Sequence, residues 1–230
     1  MLLLTLLFAC QTPSPPPAAF WEGHETLVVG APESPACTLV AIHGYGTSPA
    51  GLKSLFSGLP TPVQVILPRG PIPRDRLGWA WFSRSREVSP GELATQITAQ
   101  ADLLTEGLST LPTPAPIRGK PIITGFSQGG MLSWSVAIRH PDAIGGALPL
   151  SGYLPEPGLP TTPIQAVPIH AFHGRMDRVI PLDAATRTAE AVREQGGAVV
   201  LSTYPDTNHN VPEPVRRDYY AAIAELCAAQ

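Results

Sequence analysis

The chain has 230 residues, 43% of them hydrophobic, enough for one sizeable core and short for two. A formal net charge of −3 and only two lysines, Lys53 and Lys120, speak against a nucleic-acid surface. Three cysteines without metal-ligand spacing, no glycine-rich dinucleotide fingerprint and no internal repeat leave no metal, no cofactor and no solenoid to be expected.

Residues 1–20 stand apart from the rest. Residues 1–8 are an apolar run too short to span a bilayer as a helix. Ala9 and Cys10 close that run, and the proline-rich stretch 11–17 reads as an extended tether. A short apolar segment ending at a small residue fits an export signal. The cysteine resembles a lipobox, which implies a lipidated Cys10 and a membrane-anchored protein on the periplasmic or outer side. The segment lacks Lys and Arg ahead of the apolar run, so two alternatives stay open. They are export without lipid, and a start codon misplaced upstream of a cytoplasmic protein.

The folded domain is expected over 21–230. Strands are predicted at 25–30, 37–43, 63–67, 120–124, 144–150, 167–173 and 198–204. Helices are predicted near 49–58, 90–108, 128–139, 182–195 and 214–228. Strands alternating with helices at this spacing mean βαβ units, hence an α/β fold with about seven mostly parallel strands and helices on both faces. The 28 prolines cluster in the leader and between elements, where they punctuate the fold. In the long helix Leu93, Ile97, Leu104 and Leu108 recur at helical spacing and mark a core face. Met131 and Trp134 read as packing residues. Cys37 opens a predicted central strand and Cys227 lies in the last predicted helix; they read as buried free thiols, with pairing as the alternative.

Chemistry concentrates between the strand at 120–124 and the helix at 128–139, where Gly125-Phe-Ser127-Gln-Gly129 fits G-x-S-x-G. A serine on a sharp strand-to-helix turn, flanked by glycines, is the nucleophile elbow of the α/β-hydrolase fold. In that fold the order along the chain is serine, acid, histidine. Of the six histidines, only His209 lies far enough downstream to serve as base. Asp177, on the turn after the strand at 167–173, is the expected acid, because catalytic groups gather beyond strand carboxyl ends. Asp206 is the rival by proximity in sequence, and Asp183 fits better as a first-turn helix residue. The residue after the nucleophile, Gln128, should supply one oxyanion N–H, and Tyr45, in the loop after the strand at 37–43, the second. His43 lies upstream of Ser127 and reads as a structural residue of that loop.

Ile42-His-Gly-Tyr-Gly46, Gly125 through Gly130, His173-Gly-Arg-Met-Asp177-Arg-Val-Ile-Pro181 and Tyr204 through His209 resemble the phospholipase/carboxylesterase family. That group includes acyl-protein thioesterases and small bacterial carboxylesterases. The likeness runs from about residue 25 to the C-terminus. It implies Ser127 as nucleophile, Asp177 as orienting acid, His209 as base, and Tyr45 and Gln128 as oxyanion donors. Trp81-Phe82 resembles the family's Trp-Phe element. Beside the oxyanion strand it forms either a wall of the substrate groove or peripheral packing. Asn208 stands where the family commonly has glycine, and Pro71 through Gly78 is an insertion that alters the groove.

The expected activity is hydrolysis of carboxylic esters or thioesters through an acyl-enzyme, without a cofactor. A lipid-anchored binding protein without turnover, or a peptidase on the same scaffold, are the competing readings.

Overall fold

The computed structural model describes residues 21, 23–29, 34–74, 78–85 and 87–230. Cys10, with the whole expected leader and tether, lies outside the described residues. Nine strands are found among the described residues: β1 Glu25–Val29, β2 Cys37–Ile42, β3 Val63–Leu67, β4 Ile72–Pro73, β5 Trp79–Ala80, β6 Ile122–Phe126, β7 Gly146–Leu150, β8 Ile169–Gly174 and β9 Val199–Tyr204. The α-helices among the described residues are α1 Pro49–Leu52, α2 Pro90–Gly107, α3 Gln128–Arg139, α4 Leu182–Glu194 and α5 Glu213–Ala228.

Seven strands form one sheet in the order β1-β3-β2-β6-β7-β8-β9. Only β1 is antiparallel, to β3, so six strands run parallel. β4, within the expected insertion, and β5, directly after it, make a separate antiparallel pair. The fold is the expected α/β class, and the central strands are apolar on both faces because helices cover both.

Side-chain alternation sorts the core into two layers. Val40 and Ile42 of β2, Ile66 of β3 and Ile123 of β6 pack with Ile97 and Leu104 of α2, Leu132 and Trp134 of α3 and Val192 of α4. The intervening residues Leu39, Ala41, Val63, Val65 and Leu67 face the other way. There they meet Leu52, Phe56, and Val215, Tyr219 and Ile223 of α5. α2 starts where its sequence says it should. Pro90 occupies the first turn, and the Ser89 hydroxyl accepts from Glu92 N–H.

Three local expectations are revised. β6 runs to Phe126, two residues beyond the expected end, because its ladder with β7 continues through Gly125 to Pro149 and Phe126 to Leu150. The helix expected at 49–58 is α1 followed by a 3-10 turn over Lys53–Phe56. Cys37 and Cys227, read as free thiols, form a disulfide. The strand-first and helix-last positions of these residues concealed that α5, packed on β7 and β8, ends beside the start of β2, with the two Cα atoms 5.2 Å apart, within disulfide range.

Candidate active site

The chain leaves β2 for β3 on one side, then returns to place β6 on the other side of β2. At such a reversal the loops leaving two adjacent parallel strands diverge, which opens a crevice at their carboxyl ends. Here those loops begin at His43 and at Ser127.

Ser127 links β6 to α3 with φ 58° and ψ −112°. Among the described non-glycine residues only Ser127 and Ser151 have positive φ. This conformation is costly for a residue with a β-carbon and persists only where surrounding contacts impose it. The glycines around the turn show what imposes it. A β-carbon on Gly129 would fall 2.0 Å from the Ile42 carbonyl oxygen, and one on Gly125 would fall 2.6 Å from the same atom. Strand β2 is pressed against the turn, and only glycine fits. The Ser127 N–H extends the β6–β7 ladder by donating to the Leu150 carbonyl (3.0 Å). Its side chain makes no capping bond to α3, so the hydroxyl is not spent on the helix. Gln128 opens that helix, and its N–H has no intrahelical acceptor.

Of the three carboxylates weighed, Asp177 is the one bonded to His209: Nδ1 to Oδ2 is 2.7 Å. A carboxylate accepts, so the Nδ1 proton is fixed there and Nε2 is left with its lone pair. The Asp177 side chain is fully buried, and its other oxygen accepts from the N–H groups of Val179 and Ile180, both at 2.9 Å. A buried anion held by three donors is compensated. His173 stands behind it, 3.6 Å from Oδ2, and donates from Nε2 to the Ile180 carbonyl (2.9 Å). Burial pushes the His173 imidazole below the ordinary histidine range, opposed by its backbone bond and by Asp177. Asp206 is exposed, and Asp183 pairs with Arg187 at 2.7 Å in the first turn of α4.

The loop carrying His209 is seated on the end of β8. The Met176 N–H donates to the Thr207 carbonyl (3.0 Å), and a β-carbon on Gly174 would fall 2.2 Å from that same oxygen. The His209 ring packs against Phe126 at 4.7 Å between centroids, bringing it beside the elbow. Asn208 does not occupy the left-handed region, so the turn has no need of glycine there.

On the opposite side, a β-carbon on Gly44 would lie 3.4 Å from that of Ser127, so Tyr45 follows directly at the elbow. The Tyr45 loop is tied to the β4–β5 pair. Gly46 N–H donates to the Trp79 carbonyl (2.9 Å) and Trp79 N–H to the Thr47 carbonyl (2.8 Å). His43 is completely buried. Its Nε2 accepts from Gly70 N–H (3.0 Å), which puts the proton on Nδ1, 2.8 Å from the Gly44 carbonyl. Burial lowers its pKa.

Sequence reasoning missed the Gln128 side chain. Its Oε1 accepts from Trp81 N–H (3.0 Å) and its Nε2 donates to the Phe82 carbonyl (2.8 Å). The Trp81 indole in turn donates to the His43 carbonyl (3.0 Å). A glutamine after the elbow serine carries no spacing signal for such partners. Trp81 is therefore buried behind the site, and the cavity at Ser127 does not have it among its lining residues. Phe82 lines a cavity of about 200 Å³ that opens at Ser127 and Gln128. Met131, read as packing, and Tyr153 line it as well. A second depression, about 320 Å³, is bordered by His209, Phe126, Leu52, Leu55, Val211 and Arg216. No group of three or more His, Cys, Asp or Glu suited to a metal occurs among the described residues.

Residues 24–224 match the family described as Phospholipase/Carboxylesterase. An acyl-protein thioesterase 1 of Mycosarcoma maydis is 27% identical over 241 residues, covering 90% of this chain and 98% of that protein. Esterase YpfH of Escherichia coli K12 is 26% identical over 194 residues, covering 82% of each. The crystal structure of esterase PE8 superposes with a TM-score of 0.76 at 19% identity, over 88% of this chain and 99% of PE8.

Proposed function

Because the chain belongs to the phospholipase/carboxylesterase family, we propose that it is a serine hydrolase of carboxylic esters or thioesters working through Ser127, His209 and Asp177. The observation that carries this reading is the Asp177–His209 bond. It joins the ends of β8 and β9 and fixes the imidazole tautomer a general base needs. His209 Nε2 takes the Ser127 proton as Oγ attacks the carbonyl carbon. The oxyanion forms against the Tyr45 and Gln128 N–H groups, where the positive end of α3 adds to the field. His209 then protonates the leaving alcohol or thiol, and water attacks the acyl-enzyme by the same route in reverse. The buried Asp177 carboxylate stabilises the imidazolium formed in each half.

The test is a fluorophosphonate probe together with Ser127→Ala. The wild-type protein should be labelled at Ser127 and hydrolyse 4-nitrophenyl esters. The variant should fold, escape labelling and lose activity by about a millionfold. Activity within tenfold of wild type in a contaminant-free variant would overturn the assignment. Aminoacyl anilides in the same assay address a peptidase, and absence of turnover on every substrate would leave a binding protein.

We also propose export with anchoring through a lipidated Cys10. The Cys37–Cys227 disulfide supports a location where such bonds persist. The mass of the mature N-terminal peptide tests this; an unmodified peptide beginning at Met1 would refute it.

A further inference from the structure

Resting on the serine-hydrolase reading, we propose that the enzyme prefers acyl groups that end in a carboxylate, which Arg84 receives. The two cavities at the site divide the substrate. A general acid must reach the leaving atom, so the leaving group lies in the depression bordered by His209. The acyl portion is then left the cavity that opens at Ser127 and Gln128 and does not include His209 among its walls.

That acyl cavity has a distinctive lining. Phe82, Leu93, Met131 and Ile180 give it apolar walls, and among the described residues Arg84 is the one charged residue that lines it. Among the described residues no carboxylate pairs with Arg84. Its guanidinium is near enough to Tyr153, another lining residue, to oppose the rise that burial causes in the phenol pKa. The segment presenting Arg84 is held to α3 and α2 on its N-terminal side and makes a local bond after Arg84. The Phe82 carbonyl accepts from Gln128, Ser83 N–H donates to Gln96 Oε1 (2.9 Å), and the Ser85 hydroxyl accepts from Glu87 N–H (3.1 Å). A guanidinium with no carboxylate partner among the described residues, beside a cavity with both apolar and polar walls, suits bidentate capture of a carboxylate.

Size sets the chain length. At about 30 Å³ for a water-sized group, about 200 Å³ accommodates roughly six or seven non-hydrogen atoms. Beyond the reacting carbonyl, whose carbon and oxygen sit at Ser127 and the oxyanion N–H groups, a six-carbon acyl chain with a terminal carboxylate has seven such atoms and meets that limit. The natural substrates are thus expected to be monoesters or monothioesters of short dicarboxylic acids.

The test compares 4-nitrophenyl hydrogen adipate with 4-nitrophenyl hexanoate, which share a six-carbon acyl group and differ by the terminal carboxylate. Wild-type enzyme should favour the adipate in kcat/KM, less so at 0.5 M salt. Arg84→Gln should cut kcat/KM for adipate by about 10- to 100-fold, the size of a charge-assisted hydrogen bond, mainly through KM. The same variant should leave hexanoate within about twofold, and Arg84→Lys should restore part of the loss. Equal effects of Arg84→Gln on both esters, or none on either, would overturn the proposal while the hydrolase reading stands. Failure of wild-type enzyme to hydrolyse any ester would overturn both.

Discussion

The two halves of the site are held by different forces. On the β2–β6 side, His43, Trp81 and Gln128 form a neutral network whose partners are almost all backbone groups of neighbouring loops. On the β8–β9 side the organising element is a single buried anion, Asp177, to which His209 and two backbone N–H groups converge. On the proposed mechanism the first half positions oxyanion donors whose own charge does not change. The second positions a base that becomes cationic during turnover, the state a fixed counter-charge stabilises. Removing charge from one half should therefore cost far more than removing a contact from the other.

The sharpest break of this contrast is Asp177→Asn. It keeps the shape and removes the anion, and kcat should fall by up to about ten-thousandfold near neutral pH. Asp206→Asn, on the same loop as His209 yet exposed, should stay within a few-fold. A reversal of these two effects in steady-state assays would move the acid to Asp206.

Gln128→Ala probes the neutral half. The backbone N–H survives, but Trp81 N–H and the Phe82 carbonyl lose their partner. Displacement of these loops by a fraction of an ångström predicts a loss of about 10- to 100-fold in kcat/KM with the fluorophosphonate reaction retained. A loss as large as that of Asp177→Asn would show that the two halves do not differ as described.

The pH dependence of stability sharpens the comparison further. His43, on the neutral side, and His173, behind Asp177, both have folded-state pKa values lowered from 6.5 by burial. The unfolded chain then binds more protons than the native one once pH drops below 6.5. Their contribution is fully present above that value and is lost as pH falls toward the depressed folded values. Thermal unfolding should show Tm declining from pH 7 to pH 5, and His173→Asn should flatten the decline. A Tm that rises over this interval contradicts the neutral assignment of both rings.

The smallest effect on turnover is expected from Cys37→Ala with Cys227→Ala, on the face of the sheet remote from these networks. Activity at 25 °C should stay within about twofold, while unfolding free energy falls by roughly 2–5 kcal/mol. Denaturant titration separates the two outcomes.

What the sequence made legible follows from the range of its signals. The elbow could be read because G-x-S-x-G is local, and glycine is demanded by backbone contacts with Ile42 that recur wherever a strand turns this sharply. Asp177 and His209 could be singled out because strand ends set their order along the chain, although no spacing revealed that they meet. The Gln128 side chain, the cavity role of Met131 and the Cys37–Cys227 bond were not legible. Each depends on which loop or helix arrives from a distant part of the chain. Trp81 shows the same limit: an aromatic residue near a site has one composition signal whether it faces substrate or, as here, donates its indole proton to a buried carbonyl.

The cystine has one more consequence, topological in kind. Its two halves are 190 positions apart, so it closes the domain into a covalent ring that contains every residue given a role in the proposed reaction, from Tyr45 to His209. Hydrolysis of any one peptide bond within that ring opens it into a linear molecule without releasing a fragment. Surroundings rich in proteases would convert such an enzyme into a nicked form that migrates as one species until reduced. Its two pieces would still be joined beneath the sheet they build together.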